Sequence, residues 1–141
     1  MKVLFDTNIF IRFATNDLPK QAKVCKKLFD LVDEGKIKPY VSFITFFEIN
    51  YLLTKTYSFS KIKTLDFIES ILELRNVTVL KKADVSKLIL LYKIENVGLA
   101  DALIVGEVGT HMTLCTYDEK LLKIVKNALT PEKLLNKLER K

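Results

Sequence analysis

Val3-Leu4-Phe5-Asp6-Thr7-Asn8-Ile9-Phe10 is an apolar run, an acid and then a second apolar pattern. A short apolar run that stops at a polar turn reads as a buried strand. From Thr7 to Thr15 the spacing predicts a short helix with Ile9, Phe10 and Phe13 on its inner face. A strand that feeds directly into a helix is the opening half of a strand–helix unit, and the remainder of the chain repeats that alternation.

Asp17-Leu18-Pro19 breaks the first helix and starts a second, which runs to about Glu34. Ala22, Cys25, Leu28, Phe29 and Val32 share one side of it, and Gly35 follows its end. Tyr40-Val41 is a brief second strand. Ser42 is placed to cap a helix reaching to about Thr56. Ser58 or Ser60 opens another, with Ile62, Leu65, Ile68, Ile71 and Leu72 expected to face inward. Val77-Thr78-Val79-Leu80 alternates and is β-branched, so it predicts a strand. Asp84 caps a helix holding Val85, Leu88, Ile89, Leu91 and Tyr92, a pattern that ends at Gly98. The stretch from about Leu99 to Val108 is apolar nearly all round and predicts a buried helix. Met112 to Thr116 is a strand, and Asp118 starts a helix ending near Asn127. Thr130-Pro131-Glu132 begins the last helix with proline at its first position.

Strands alternating with helices predict an α/β fold, a three-layer α/β/α arrangement around a mainly parallel sheet with right-handed crossovers. The 141 residues suit one domain spanning 1–141, with no linker and no repeat. Nearly half the residues are apolar, which excludes a disordered chain. No apolar run approaches the roughly 20 residues needed to span a bilayer. The Val3–Phe5 run is too short for a signal peptide. A soluble cytoplasmic protein without a membrane partner is therefore expected.

Cys25 and Cys115 lie far apart, with His111 as the one histidine, so the chain lacks the ligands of a zinc site. Both thiols are expected to pack as small hydrophobes. A disulfide is not expected in a cytoplasm, hyperthermophiles excepted. The wealth of Lys, Ile and Leu, with one Gln and no Trp, has a faint thermophile flavour. The net charge of +6 suits a polyanionic partner through counterion release, although lysines at helical spacing also serve simply to face water.

In an open parallel sheet, ligands bind beyond the carboxyl ends of the strands. Asp6 directly follows the first strand, and Asp118 follows the Met112–Thr116 strand by two residues. Both should reach the same edge, although each also stands where an Asp commonly caps a helix. Glu48, in Phe46-Phe47-Glu48-Ile49, has Ile44, Thr45, Tyr51 and Leu52 as helical neighbours. Asp101 lies within Leu99-Ala100-Asp101-Ala102-Leu103-Ile104. An ionised carboxylate in such surroundings is costly unless it is paired or binds metal. Asp101 is also close to a helix N-terminus, where the dipole favours its charged form.

Four acids on separate elements suit a hard cation with oxygen ligands, Mg²⁺ or Mn²⁺ rather than zinc. Two such ions, roughly 4 Å apart, activate a water and stabilise the leaving oxygen of a phosphodiester. Thr7, Asn8 and Thr116 are candidates to orient carboxylates or waters, although turn and cap chemistry is the commoner role for any one of them. There is no phosphate-binding GxxxxGK loop and no Gly-x-Ser-x-Gly elbow. The single histidine leaves a metal-free ribonuclease without its usual pair of proton-transfer groups. A dehalogenase-like phosphatase would want an Asp where Asn8 stands, and a receiver domain would want an acid where Phe5 stands.

Asp6-Thr7-Asn8 after an N-terminal strand, Glu48 in a mid-chain helix, Asp101-Ala102-Leu103-Ile104 and Thr116-Tyr117-Asp118 together resemble the PIN-domain nucleases. Within that family the pattern is most similar to the VapC-like toxins of prokaryotic toxin–antitoxin pairs. The resemblance spans nearly the whole chain. It implies Mg²⁺- or Mn²⁺-dependent cleavage of RNA, with Asp6, Glu48, Asp101 and Asp118 as the acidic positions. Thr116 matches a polar position before the last Asp, and Asn8 one beside the first. The resemblance also implies a homodimer and a small inhibitory antitoxin. Gly106-Glu107 departs from it, because small apolar residues are more usual there. The alternative expectation is a catalytically weak PIN-like module that binds RNA or protein.

Overall fold

The computed structural model describes residues 1–141. The chain opens with β1 (Lys2–Phe5), α1 (Thr7–Thr15) and α2 (Pro19–Asp33), followed by β2 (Lys38–Ser42) and α3 (Phe43–Tyr51). A π-helical turn, Leu52–Thr56, prolongs α3. Next come α4 (Lys61–Leu72), β3 (Thr78–Leu80), α5 (Val85–Ile94) and α6 (Leu99–Glu107). The chain finishes with β4 (Met112–Cys115), α7 (Glu119–Ile124), β5 (Ala128–Leu129) and α8 (Pro131–Glu139). No helix is long and apolar enough to cross a membrane.

All five strands are parallel, in the order β3-β2-β1-β4-β5. The chain builds outward from β1 through β2 to β3, then crosses back to β4 and β5. That reversal puts the switch point of the sheet between β1 and β4, and ligands of such sheets bind beyond the carboxyl ends of the strands there. The register pairs Phe5 with Cys115. The Asp6 N–H extends the ladder by one bond, donating to the Cys115 carbonyl at 3.0 Å.

Strand periodicity puts apolar side chains on both faces of the sheet. Val3, Phe5, Val41 and Cys115 face the larger core, with Ile9 and Phe10 of α1, Leu28 and Phe29 of α2, Ile49 of α3 and Leu134 of α8. Leu4, Tyr40 and Leu114 face the smaller one, with Ile104 of α6 and Leu121 of α7. This is the three-layer α/β/α sandwich. On α2, Ala22, Cys25, Leu28, Phe29 and Val32 are its buried residues, the side its periodicity predicts.

Four expectations need correction. On α4 only Thr64 and Ile71 are buried, while Ile62, Leu65 and Leu72 face out. Apolar residues run round this helix, so its period cannot choose a face; α3 chooses it by packing on one side. Next, α6 is not wholly buried: Ala102 and Ile104 face the sheet, but Leu99 is 54% exposed. Its outer neighbour α5 buries none of its own residues and gives only partial cover. Finally, the stretch up to Asn127 is a shorter helix followed by β5, and two strand residues are too few to show a period. Phe13 is also half-exposed rather than inward, although its ring sits edge-on to Phe29.

Candidate active site

Asp6 closes β1 and caps α1, its Oδ1 accepting the Thr7 N–H at 2.8 Å. Oδ2 accepts from the Thr116 hydroxyl at 2.6 Å and from Asn8 Nδ2 at 3.3 Å. Thr116 in turn accepts the Asp118 N–H at 2.9 Å, and the Asn8 amide oxygen accepts the Tyr117 N–H at 3.4 Å. The carboxyl end of β4 is thus fastened to that of β1 through side chains already singled out in the sequence. Leu129 of β5 accepts the Thr116 N–H and steadies that residue from behind.

Glu48 reaches the same edge from α3. The Thr7 hydroxyl donates to its Oε1 at 2.8 Å and also approaches the Thr45 hydroxyl at 3.4 Å. Thr7 therefore holds Asp6 with its backbone and Glu48 with its side chain. Asp118 is the N-cap of α7, its Oδ1 accepting from Lys120 N and Leu121 N. Asp101 lies half-buried in the first turn of α6.

Burial raises the Asp6 carboxyl above its ordinary range, against the pull of the Thr116 and Thr7 bonds, and Asp101 and Asp118 push it the same way. Glu48 is raised by burial first, then by Asp6 and Asp101, with the Thr7 bond opposing. Asp101 is raised by burial and by Asp118, while Lys120 draws it down. The charges of these acids act on one another, so the side chains share one neighbourhood. None of them belongs to an ion pair; the three present are Arg12–Asp17, Lys26–Asp30 and Lys36–Glu34.

The carboxylates do not form a closed cage, because no three of them come within common reach of one ion. Mg²⁺ does not need a cage: it usually keeps several waters and takes one or two carboxylates plus substrate phosphate. An ionised carboxylate offers about four acceptor positions, and the donors on Asp6 leave room for a cation. One buried and three partly buried carboxylates that repel one another and form no ion pair are the setting that a divalent ion relieves. The donor set fits such an ion.

Thr45 and Lys120 were not foreseen. Thr45 had a faint signal, since it stands three residues before Glu48 on the same helical face. Lys120 had none, because its effect on Asp101 depends on how α7 meets α6. His111 is an exposed turn residue, and Cys25 and Cys115 are buried free thiols. Glu107 does not join the acidic edge; it pairs with Ser42.

The PIN-domain family model matches residues 2–104, most of the chain. The chain belongs to the PIN-domain family, whose members are generally nucleases. Asp6, Glu48 and Asp101 fall within the matched segment, and Thr116 and Asp118 beyond it. Among solved structures, the fold is similar to PAE2754 from Pyrobaculum aerophilum, with a TM-score of 0.71 and 17% identity, over 100% of this chain and 97% of that one. It is also similar to a toxin–antitoxin complex from Klebsiella pneumoniae, with a TM-score of 0.64, 21% identity, and coverage of 92% and 97%. A third is VapBC2 from Rickettsia felis bound to a DNA fragment from its promoter, with a TM-score of 0.63, 18% identity, and coverage of 92% and 97%. No curated protein matches the sequence.

Proposed function

We propose that this chain is a divalent-metal-dependent endoribonuclease that hydrolyses RNA phosphodiesters in the cytoplasm, as the toxin of a toxin–antitoxin pair. The observation that carries this reading is the hydrogen-bonded run Thr116–Asp6–Thr7–Glu48 at one sheet edge, with Asp101 and Asp118 acting on Asp6 and none of the four acids in an ion pair. Bound Mg²⁺ or Mn²⁺ would supply Lewis acidity, lowering the pKa of a water and stabilising the leaving oxygen.

The chain's own residues would do the rest. Asp6 is the central ligand, held in one rotamer by Thr7, Asn8 and Thr116. Asp101 and Asp118 complete the site from α6 and α7. Glu48, oriented by Thr7, holds a metal or receives the proton of the attacking water. Glu48, Asp101 and Asp118 are only partly buried, so each can be reached from solvent at this edge. Surface lysines hold the strand through its phosphates.

A small antitoxin and a second copy of the chain are the proposed protein partners. Apolar surface is available for both. Phe43, Phe47, Leu65 and Leu72 border a groove between α3 and α4, and α5 exposes Val85, Ile89, Leu90 and Tyr92. The same surfaces favour the alternative, a catalytically weak module that binds RNA or protein. Calorimetric titration with Mn²⁺ separates the two, since a pure binding module has no need of the ion.

The test is cleavage of single-stranded RNA with and without Mn²⁺. Asp6→Asn and Asp101→Asn should each lower the rate roughly 100-fold or more while the protein stays folded. Full activity in EDTA would sink the proposal.

A further inference from the structure

Ser42 stands at the N-cap of α3 with the extended backbone of a capping residue, yet its hydroxyl bonds to no amide of that helix. Wholly buried, it donates instead to Glu107 Oε1 at 2.7 Å, 65 residues away. A serine in this place normally satisfies one of the free N–H groups of its own helix, and here that bond is forgone.

Glu107 is equally out of place by local rules. It is the last residue of α6, where the negative end of the helix dipole opposes a carboxylate. It is half-buried and in no ion pair. Lys87 comes near but spends its ammonium on the Gly106 carbonyl at 3.4 Å. Two residues thus give up what local structure would grant them, and the result is one bond between α3 and α6.

Those are the helices that carry Glu48 and Asp101. α3 packs beside α1 and α4, whereas α6 packs beside α5 and α7. Ser42 stands six residues before Glu48, and Glu107 six residues after Asp101. The Ser42–Glu107 bond therefore ties the two helices together from more than one turn away on each.

We propose that Glu107 and Ser42 are positioning residues that set the separation of Glu48 and Asp101, and so tune divalent-ion affinity without touching the ion. This rests on the metal-dependent reading above. It also gives a role to the glutamate that departs from the family pattern.

The test compares Ser42→Ala, Glu107→Ala, Glu107→Gln and the double alanine variant, using Mn²⁺ calorimetry well below each melting temperature. Amide chemical shifts of Glu48 and Asp101 are recorded in the metal-free proteins. Ser42→Ala and Glu107→Ala should each weaken Mn²⁺ binding roughly tenfold and move both amides. Either variant suffices if the other does not fold. Glu107→Gln still accepts the serine proton and should stay within about twofold of the parent, because the bond and not the charge is needed. The double variant should lose no more than either single one. Parent-like binding by both alanine variants, a Gln variant as weak as Ala, or additive losses would each overturn the proposal. Should the parent bind no Mn²⁺, the metal reading fails, and the amide shifts alone decide whether the bond sets the two helices.

Discussion

Thr116 donates its hydroxyl proton to Asp6 across 2.6 Å, joining the carboxyl ends of β4 and β1 from positions 110 residues apart. The bond lowers the pKa of a carboxyl that burial raises, and so helps keep Asp6 ionised. Thr116→Val keeps the shape and removes the donor. Unfolding free energy in urea should fall by about 1 kcal/mol, and calorimetry should show Mn²⁺ affinity down roughly tenfold. Unchanged affinity would mean that Asp6 orients itself without help.

Asp101 accepts no hydrogen bond from the chain, and Asp118 repels it. Asp101→Asn gives up the lesser attraction of Lys120 but relieves the burial of a charge and the repulsion from Asp118. Without metal the variant should melt at the parent temperature or a few degrees above it, while RNA cleavage is lost. A clear drop in melting temperature would show that the carboxylate is structural.

Raised carboxyl pKa values fix the sign of the pH dependence. Asp6, Asp101, Glu48 and Glu107 all lie above their ordinary values of 3.8 for Asp and 4.5 for Glu. Between the unfolded and folded values the native state binds more protons than the unfolded one. Their contribution is thus complete below about 4 and is lost as pH rises through the folded values. Asp17, pulled down chiefly by the Tyr57 hydroxyl, acts in the opposite sense but only below 3.8. The metal-free protein should lose stability from about pH 4 upward, and saturating Mn²⁺ should restore it at neutral pH. Thermal melts across that range, with and without the ion, check both halves.

Phe29 is the hub of an aromatic cluster, with ring centroids 5.3 Å from Phe5, 5.5 Å from Phe10 and 5.1 Å from Phe13. Phe29→Ala should cost about 3–5 kcal/mol in urea unfolding. Phe5 and Phe10 bracket Asp6 in sequence, so Mn²⁺ affinity measured at low temperature should fall as well.

The apolar stripe of α2 is legible in the sequence, because a long helix with one apolar side has one way to lie on a sheet. Asp6 and Asp118 are legible as candidates because parallel strands end at a common edge. Glu48 and Asp101 stood out as charges inside apolar runs. The illegible parts depend on neighbours that no local pattern encodes. Which side of α4 faces in was decided by α3, and the cover over α6 by α5. The partner that Ser42 chose over its own helix lies 65 residues downstream.

The central place of β1 has a consequence for synthesis. Its two neighbours in the sheet are β2, made soon after it, and β4, made only near residue 112. A nascent chain leaving the ribosome can pair one side of its first strand early and must keep the other open. Until Thr116 and Asp118 have cleared the exit tunnel, Asp6 lacks two of its companions. The acidic edge is therefore completed only after β4 has been made and paired with β1, although Thr7 can join Asp6 to Glu48 before then.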